Sequence, residues 1–266
     1  MVSLTFAGVG SAFTIENYQS MMLLEVDDGS RLLIDCGSDA RIALHNLGEG
    51  LGHKDIAGVY ISHAHADHAG GLEWLGFYTY FDPTTDKIPL YANTRLTDQL
   101  WDHTLKGGMG SVQGKITVFD DFFETLPVEP NGHFYWGPCK LQLIETVHVM
   151  NGYEIVPSYG LMMSLRTPRV SGMMNTVFIT TDTQFCPNQI MTFYQDADLI
   201  FQDCETAPYK SGVHAHFDEL KTLPRDIKRK MWLYHYQDGD LPDAVSEGFR
   251  GFVIQGQTFD LEKIEE

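Results

Sequence analysis

Three histidines and an aspartate occupy six positions, His63-Ala64-His65-Ala66-Asp67-His68, directly after the apolar run 56–61 and just before Gly70-Gly71. No other feature constrains the fold as tightly. The run has strand length, and the glycines lead into an amphipathic stretch over 72–80, so the cluster sits on a strand-to-helix loop. In extended backbone, side chains alternate with period two, so His63 and His65 point the same way and can grip one cation. Asp67 and His68 lie where the chain turns, within reach of a second cation. A lone histidine would carry no such inference. Neutral imidazoles and carboxylates at this density suit divalent metal ions.

The rest of the chain reads as interleaved strands and helices. Strand runs at 4–9, 21–26 and 31–35 open it, with a hairpin at Asp27-Asp28-Gly29-Ser30. A helix over 40–47 ends at Gly48. Further strands are expected at 140–147, 161–165, 176–180, 199–202, 231–234 and 251–255, and helices at 94–106, 187–194 and 217–223. There is no repeat, low-complexity tract or linker, so residues 1–266 read as a single α/β domain with two sheets and outer helices.

Charge and cysteine use narrow the function. The formal net charge of −18 repels long polyanions such as tRNA or duplex DNA, leaving small anions admissible. No window approaches the roughly 18 apolar residues of a membrane span, and the N-terminus lacks a secretory pattern, so a cytoplasmic protein is expected. Cys36, Cys139, Cys186 and Cys204 form no CxxC pair, which fits neither a disulfide scaffold nor a thiolate zinc site. They are expected to be reduced and mostly buried.

The HxHxDH cluster resembles the motif of the metallo-β-lactamase-fold superfamily. The opening Leu4-Thr5-Phe6-Ala7-Gly8-Val9-Gly10-Ser11 and the segment Leu32-Leu33-Ile34-Asp35-Cys36-Gly37 are similar to that superfamily's first strands, which end in an Asp-x-Gly turn beneath the metal site. The resemblance implies an αββα four-layer sandwich with a dinuclear metal site at the sheet edge. It also asks for three more ligands at strand ends. His148 after 141–147, Asp182 after 177–181 and His235 after 231–234 match them. One ion then takes His63, His65 and His148, the other Asp67, His68 and His235, and Asp182 bridges both. Thr180-Thr181-Asp182-Thr183 resembles the Gly-Asp-Thr block of the ribonuclease Z branch, with Thr181 in the glycine's place; Asp203 competes for the bridging role. Nitrogen-rich ligation favours zinc, with manganese or iron as alternatives.

Two metals held in this way lower the pKa of a bridging water and stabilise charge on attacking and leaving oxygens, which implies hydrolysis. The redox branch usually carries an acidic residue where this chain has His65. The segment Val213-His214-Ala215-His216-Phe217-Asp218-Glu219-Leu220 resembles the HxT motif that protonates the leaving oxygen in the phosphodiesterase branch. His214 is the first choice for that acid and His216 its rival, and Asp67 can orient the attacking water as well as ligate. Ribonuclease Z itself holds tRNA with a basic, glycine-rich arm that has no counterpart here. The one basic cluster, Lys221, Arg225, Lys228, Arg229 and Lys230, reads as a solvated face. The chain resembles the ribonuclease Z-like cyclic nucleotide phosphodiesterases, including those of the anti-Pycsar type. That resemblance implies a homodimer that hydrolyses small phosphodiesters, 3′,5′-cyclic mononucleotides above all, to nucleoside monophosphates. Residues 77–81, the Gly107-Gly108-Met109-Gly110 loop and an insertion over 151–175 with Tyr153, Tyr159, Arg166 and Arg169 are the candidates to cover the nucleotide. The competing readings are a ribonuclease Z-like nuclease and a lactone or thioester hydrolase of the same fold.

Overall fold

The computed structural model describes residues 1–48, 50–168 and 174–264. The N-terminal half supplies β1 (Ser3–Gly8), β2 (Met21–Glu25), β3 (Arg31–Ile34), β4 (Gly58–Ile61) and β5 (Ile88–Asn93). A small hairpin, β6 (Ser111–Val112) and β7 (Lys115–Ile116), precedes β8 (Phe123–Val128). The C-terminal half supplies β9 (His133–Trp136), β10 (Cys139–Met150), β11 (Ile155–Pro168), β12 (Met174–Ile179), β13 (Leu199–Asp203), β14 (Met231–Tyr234) and β15 (Gly251–Phe252). The last strand, β16 (Thr258–Asp260), returns to the first half. Two seven-stranded mixed sheets result, in the orders β16-β1-β2-β3-β4-β5-β8 and β15-β14-β13-β12-β11-β10-β9.

Side-chain alternation builds the layers. One face of each sheet meets the other in a shared core, where Leu4, Phe6, Leu32 and Tyr60 pack with Leu141, Leu161, Phe201 and Tyr234. The opposite face of the first sheet, with Leu33, Val59 and Leu90, is covered by helices α1 (Ala40–Asn46), α2 (Ala66–Ala69), α3 (Leu72–Phe81), α4 (Thr94–Gln99) and α5 (Lys106–Met109). The second sheet is covered by α6 (Pro187–Asp196), α7 (Phe217–Leu220) and α8 (Arg225–Lys228), which meet Phe178, Ile200 and Leu233. This is the αββα sandwich that the resemblance implied. No helix among the described residues is long and apolar enough to cross a membrane.

Three expectations change. The stretch 151–175 is for the most part strand rather than insertion: β11 pairs with β10 from Cys139↔Leu165 to Met150↔Ile155, around a turn in which Asn151 Oδ1 accepts the N–H groups of Tyr153 and Glu154. Tyr153 lies fully exposed in that turn. Arg169 lies outside the described residues, as does the side chain of Arg166. The Gly107-Gly108-Met109-Gly110 segment is no free loop either. The helix expected over 94–106 runs on through a π-helical turn, Leu100–Leu105, into α5, and Met109 is buried where a side chain at Gly76 of α3 would strike it. Residues 77–81 finish α3, with Phe77 edge-on to Phe122 at 5.4 Å.

Candidate metal centre

The sequence-predicted ligands lie at or near the C-terminal ends of strands, except Asp67 and His68, which fall in the single turn of α2 rather than on a loop. His63 follows β4, Asp182 follows β12 and His235 follows β14. His148 sits where the β10–β11 register shifts between Val147 and Val149, and a bulge of this kind re-aims a side chain. Asp35, Thr181 and His235 all have left-handed backbone, with φ of 62°, 51° and 65°. Such conformations are strained for non-glycine residues, worst for β-branched ones, and they cluster at functional sites. Glycine tolerates that geometry freely, which is the physical sense of the glycine in the Gly-Asp-Thr block that Thr181 replaces. Thr181 is held by its Oγ1, which donates to the Thr180 carbonyl and accepts from the Ser158 hydroxyl.

The predicted ligand atoms converge in two groups, His63, His65, His148 with Asp182, and Asp67, His68, His235 with Asp182, and Asp203 and His214 form a third with Asp182 and His235. In the first, His65 Nδ1 lies 3.0 Å from His63 Nε2 and 3.1 Å from His148 Nε2, while Asp182 Oδ2 is 3.6 and 3.7 Å from those Nε2 atoms. In the second, Asp182 Oδ1 is 3.2 Å from His68 Nε2 and 3.4 Å from His235 Nε2, and Asp67 Oδ2 is 3.2 and 3.3 Å from the same nitrogens. Asp182 therefore turns one oxygen to each group, the disposition of a bridging carboxylate.

These residues fit a pair of metal ions on two grounds. Donors on a tetrahedral ion with bonds of about 2.0–2.1 Å stand roughly 3.3 Å apart, and the observed separations bracket that value. Both carboxylate oxygens of Asp182 and Nε2 of His68 are also buried without a hydrogen-bond partner, a costly state that a cation relieves.

Three of the remaining nitrogens, those of His63, His148 and His68, are fixed from behind. Ser62 Oγ donates to Asp35, so His63 Nδ1–H donates to Ser62 Oγ at 3.0 Å and leaves Nε2 free to ligate. His148 Nδ1 donates to the Val213 carbonyl at 2.9 Å and His68 Nδ1 to Asp35 at 2.8 Å. Burial lowers the pKa of His63, His65 and His148. Burial also opposes charge on His68, but Asp182, Asp67 and Asp35 override it and raise the pKa well above the ordinary value. For Asp182 itself burial acts upward, and the surrounding histidines, His235 and His68 first, hold the carboxyl well below the usual range.

Asp203, the rival for the bridging position, ends β13 behind the second group. Its Oδ2 accepts from His214 Nδ1 at 2.8 Å, and its Oδ1 lies 3.4 Å from His235 Nδ1. Asp35 thus lies behind His68, and Asp203 behind His214 and His235. An acid closing an apolar run, Leu199 to Asp203, is the one sequence signal for it. His214 is part-buried, stacked 4.8 Å from the His235 ring, and its second nitrogen has no hydrogen-bond partner among the described residues. His216 is placed otherwise. Its Nδ1 accepts the Asp218 N–H as the N-cap of α7, and its Nε2 donates to the Ala207 carbonyl. The basic cluster is partly engaged too: Lys230 Nζ caps the Gln195 and Ala197 carbonyls, and Lys221 pairs with Asp218. Of the four cysteines, all free, Cys36, Cys139 and Cys204 are buried and Cys186 is half-buried.

The fold is similar to that of the metallo-beta-lactamase fold protein YhfI from Bacillus subtilis, with a TM-score of 0.72 and 17% identity over 98% of this chain and 100% of that one. The architecture and the site together make this a metallo-β-lactamase-fold protein. A family model described as Anti-Pycsar protein Apyc1 matches residues 2–259. The chain is 32% identical over 266 residues to the anti-Pycsar protein Apyc1 of Bacillus phage 010DV004, covering 98% of each. It is 34% identical over 233 residues to that of Paenibacillus harenae, covering 87% of this chain and 88% of the relative. The chain belongs to the anti-Pycsar protein Apyc1 family.

Proposed function

We propose that this protein is a metal-dependent phosphodiesterase that opens 3′,5′-cyclic mononucleotides to nucleoside monophosphates. The observation that carries the reading is His214, held through Nδ1 by Asp203 at the rim of a complete dinuclear ligand set in a chain of this family. His63, His65 and His148 would hold one ion, Asp67, His68 and His235 the other, and Asp182 both. Bound there, the ions supply Lewis-acid stabilisation of the phosphoryl oxygens and a nucleophile at neutral pH.

The chain's own groups do the rest. Asp67 orients the proton of the attacking water. As the new P–O bond forms and the ring P–O bond breaks, the leaving oxygen becomes a poor alkoxide leaving group unless it receives a proton. His214 provides it. Burial disfavours a charged His214, but Asp203 and then Asp182 outweigh that and raise its pKa, and the Asp203 contact at Nδ1 leaves Nε2 as the proton-donating atom. His216, with both nitrogens on backbone groups, serves as the cap of α7.

We assign zinc to both positions, with manganese or iron as alternatives, and a homodimer as the working assembly. The −18 charge supports a small substrate over tRNA. Incubation with cAMP, cGMP, cCMP and cUMP, with and without chelator, tests the reading. Metal-dependent appearance of linear monophosphates is expected, and its absence for all four overturns it. Elemental analysis and light scattering check the ions and the dimer.

A further inference from the structure

A chamber of about 180 Å³ opens beside His63 and His65, between the start of α4 and β11. Clefts that take whole small-molecule ligands run to roughly 300–1,000 Å³, so this one has room for a single part of a ligand. Leu96 and Pro157 give it apolar walls, and Arg95, Gln99 and Tyr159 bring polar groups to it.

Two of those groups are unspent. Arg95 is the second residue of α4, its N–H capped by the buried Asn93 at 3.0 Å, so the helix start is fixed. Its exposed guanidinium forms no ion pair among the described residues, in a chain with twice as many acidic as basic residues. Tyr159 is only 4% exposed. Its N–H donates to the Ser62 carbonyl at 3.1 Å and its carbonyl accepts the Tyr60 hydroxyl at 2.6 Å, which fixes it next to His63. The Tyr159 hydroxyl nevertheless has no hydrogen-bond partner among the described residues. Burial and the Glu145 carboxylate, against a smaller pull from Arg95, keep that hydroxyl protonated and hence a donor. A hydroxyl that opens onto a cavity without a described protein partner is a donor available to a ligand's acceptor.

A phosphate does not suit this place. Apolar walls would strip its hydration, and the neighbouring ligand set already provides for phosphoryl oxygens. A flat heterocycle suits it, because its faces can pack on Leu96 and Pro157 while its edge presents carbonyl and ring-nitrogen acceptors. We propose that the chamber is the subsite for the nucleotide base, with Arg95 and Tyr159 donating to the base edge. The inference rests on the cyclic nucleotide reading and specifies how that substrate is held.

Calorimetry on the metal-loaded protein tests it, with uridine 5′-monophosphate and ribose 5-phosphate as probes that differ only by the base. The wild type is expected to bind the nucleotide more tightly. Arg95→Ala should shrink the ratio of the two dissociation constants about tenfold or more, and the conservative Tyr159→Phe, which keeps the ring in the core, about threefold. The proposal is overturned if Arg95→Ala weakens both probes equally, which would place the arginine on the phosphate. It is likewise overturned if the wild type binds both probes alike, or if neither variant alters the ratio. Ring opening is measured separately. A protein that opens no cyclic nucleotide but keeps the expected ratio loses the activity and retains the base subsite, while ring opening with a flat ratio does the reverse.

Discussion

The two ligand groups are built from the same residue types but rest on different supports. His63 and His148 lean on neutral partners, the Ser62 hydroxyl and the Val213 carbonyl. His68 and His235 lean toward buried carboxylates, Asp35 at 2.8 Å and Asp203 at 3.4 Å. The electrostatics follow. Burial controls the first group and keeps its imidazoles neutral, while in the second group carboxylates override burial and raise the pKa of both histidines. Carboxylate backing makes a histidine a more basic ligand and fixes its tautomer more firmly. Asp182 contributes most to the pKa rise at both histidines, with Asp67 and Asp35 adding to it at His68 and Asp203 and Asp67 at His235, so the groups differ both in the carboxylates they face and in the residues behind them.

Removing what the two groups share should break both. Asp182→Ala is expected to lose both ions and to lower phosphodiester turnover by more than the roughly 10–100-fold that loss of an outer partner costs. Elemental analysis and a rate assay on the same preparation check this, and a variant retaining two tight ions would remove Asp182 from the bridge. Next in size is the proton donor on the second group's side. His214→Ala should slow cyclic nucleotide opening by roughly 10²–10⁴-fold, and a p-nitrophenyl phosphodiester far less, since that leaving group needs no proton. His216→Ala should instead keep turnover near wild type and lower the melting temperature by a few degrees, as loss of a helix cap costs about 1 kcal/mol.

The asymmetry itself is tested by comparing outer partners. Asp203→Asn should weaken one of two metal-binding steps by roughly 10–100-fold in a competitive chelator titration. Ser158→Ala, which removes a hydroxyl 3.4 Å from His63 Nδ1, should move the other step by less. Equal effects would mean that the backing charge does not distinguish the groups.

The smallest effect concerns the loop beside His235. Asp238 accepts hydrogen bonds from Thr14, Ile15 and Asn17 and ties the 11–17 loop to the strand end that carries this ligand. Asp238→Ala should cost about 1 kcal/mol, a shift of a few degrees in melting temperature. Burial acts upward on the Asp238 carboxyl, but the hydrogen bonds from Thr14, Ile15 and Asn17 outweigh it and place the folded pKa below the model-compound value of 3.8. The contribution is therefore complete at neutral pH and above the unfolded value, and is lost as pH falls through the folded one. Melting curves of both proteins should converge in strong acid.

Legibility tracked the length scale of each interaction. The first four ligands lie within six residues, and the strand before them and the glycines after them could be read directly. The helix-forming pattern over 94–106 was also legible, but its continuation to Met109 depended on Gly76 leaving space for that side chain on α3. The stretch 151–175 looked like an insertion because its pairing partner, β10, decides that it is a strand. His214 and His216 could not be separated by spacing, since residues two apart are equivalent in an extended segment. Their surroundings differ only because α7 begins at His216 while Asp203 reaches His214 from β13.

By itself the sequence determined that four potential metal ligands cluster just after a strand and, through its charge, that a long polyanion is disfavoured as a partner. These depend on local spacing and on composition, which the chain carries whatever its contacts. The tertiary structure decided which oxygen of Asp182 faces which group, that Asp203 lies against His214 and His235, and that Arg95 and Tyr159 share a chamber. Those relations join side chains from distant strands and helices, and only the packing of two sheets on one core brings such groups within hydrogen-bonding range.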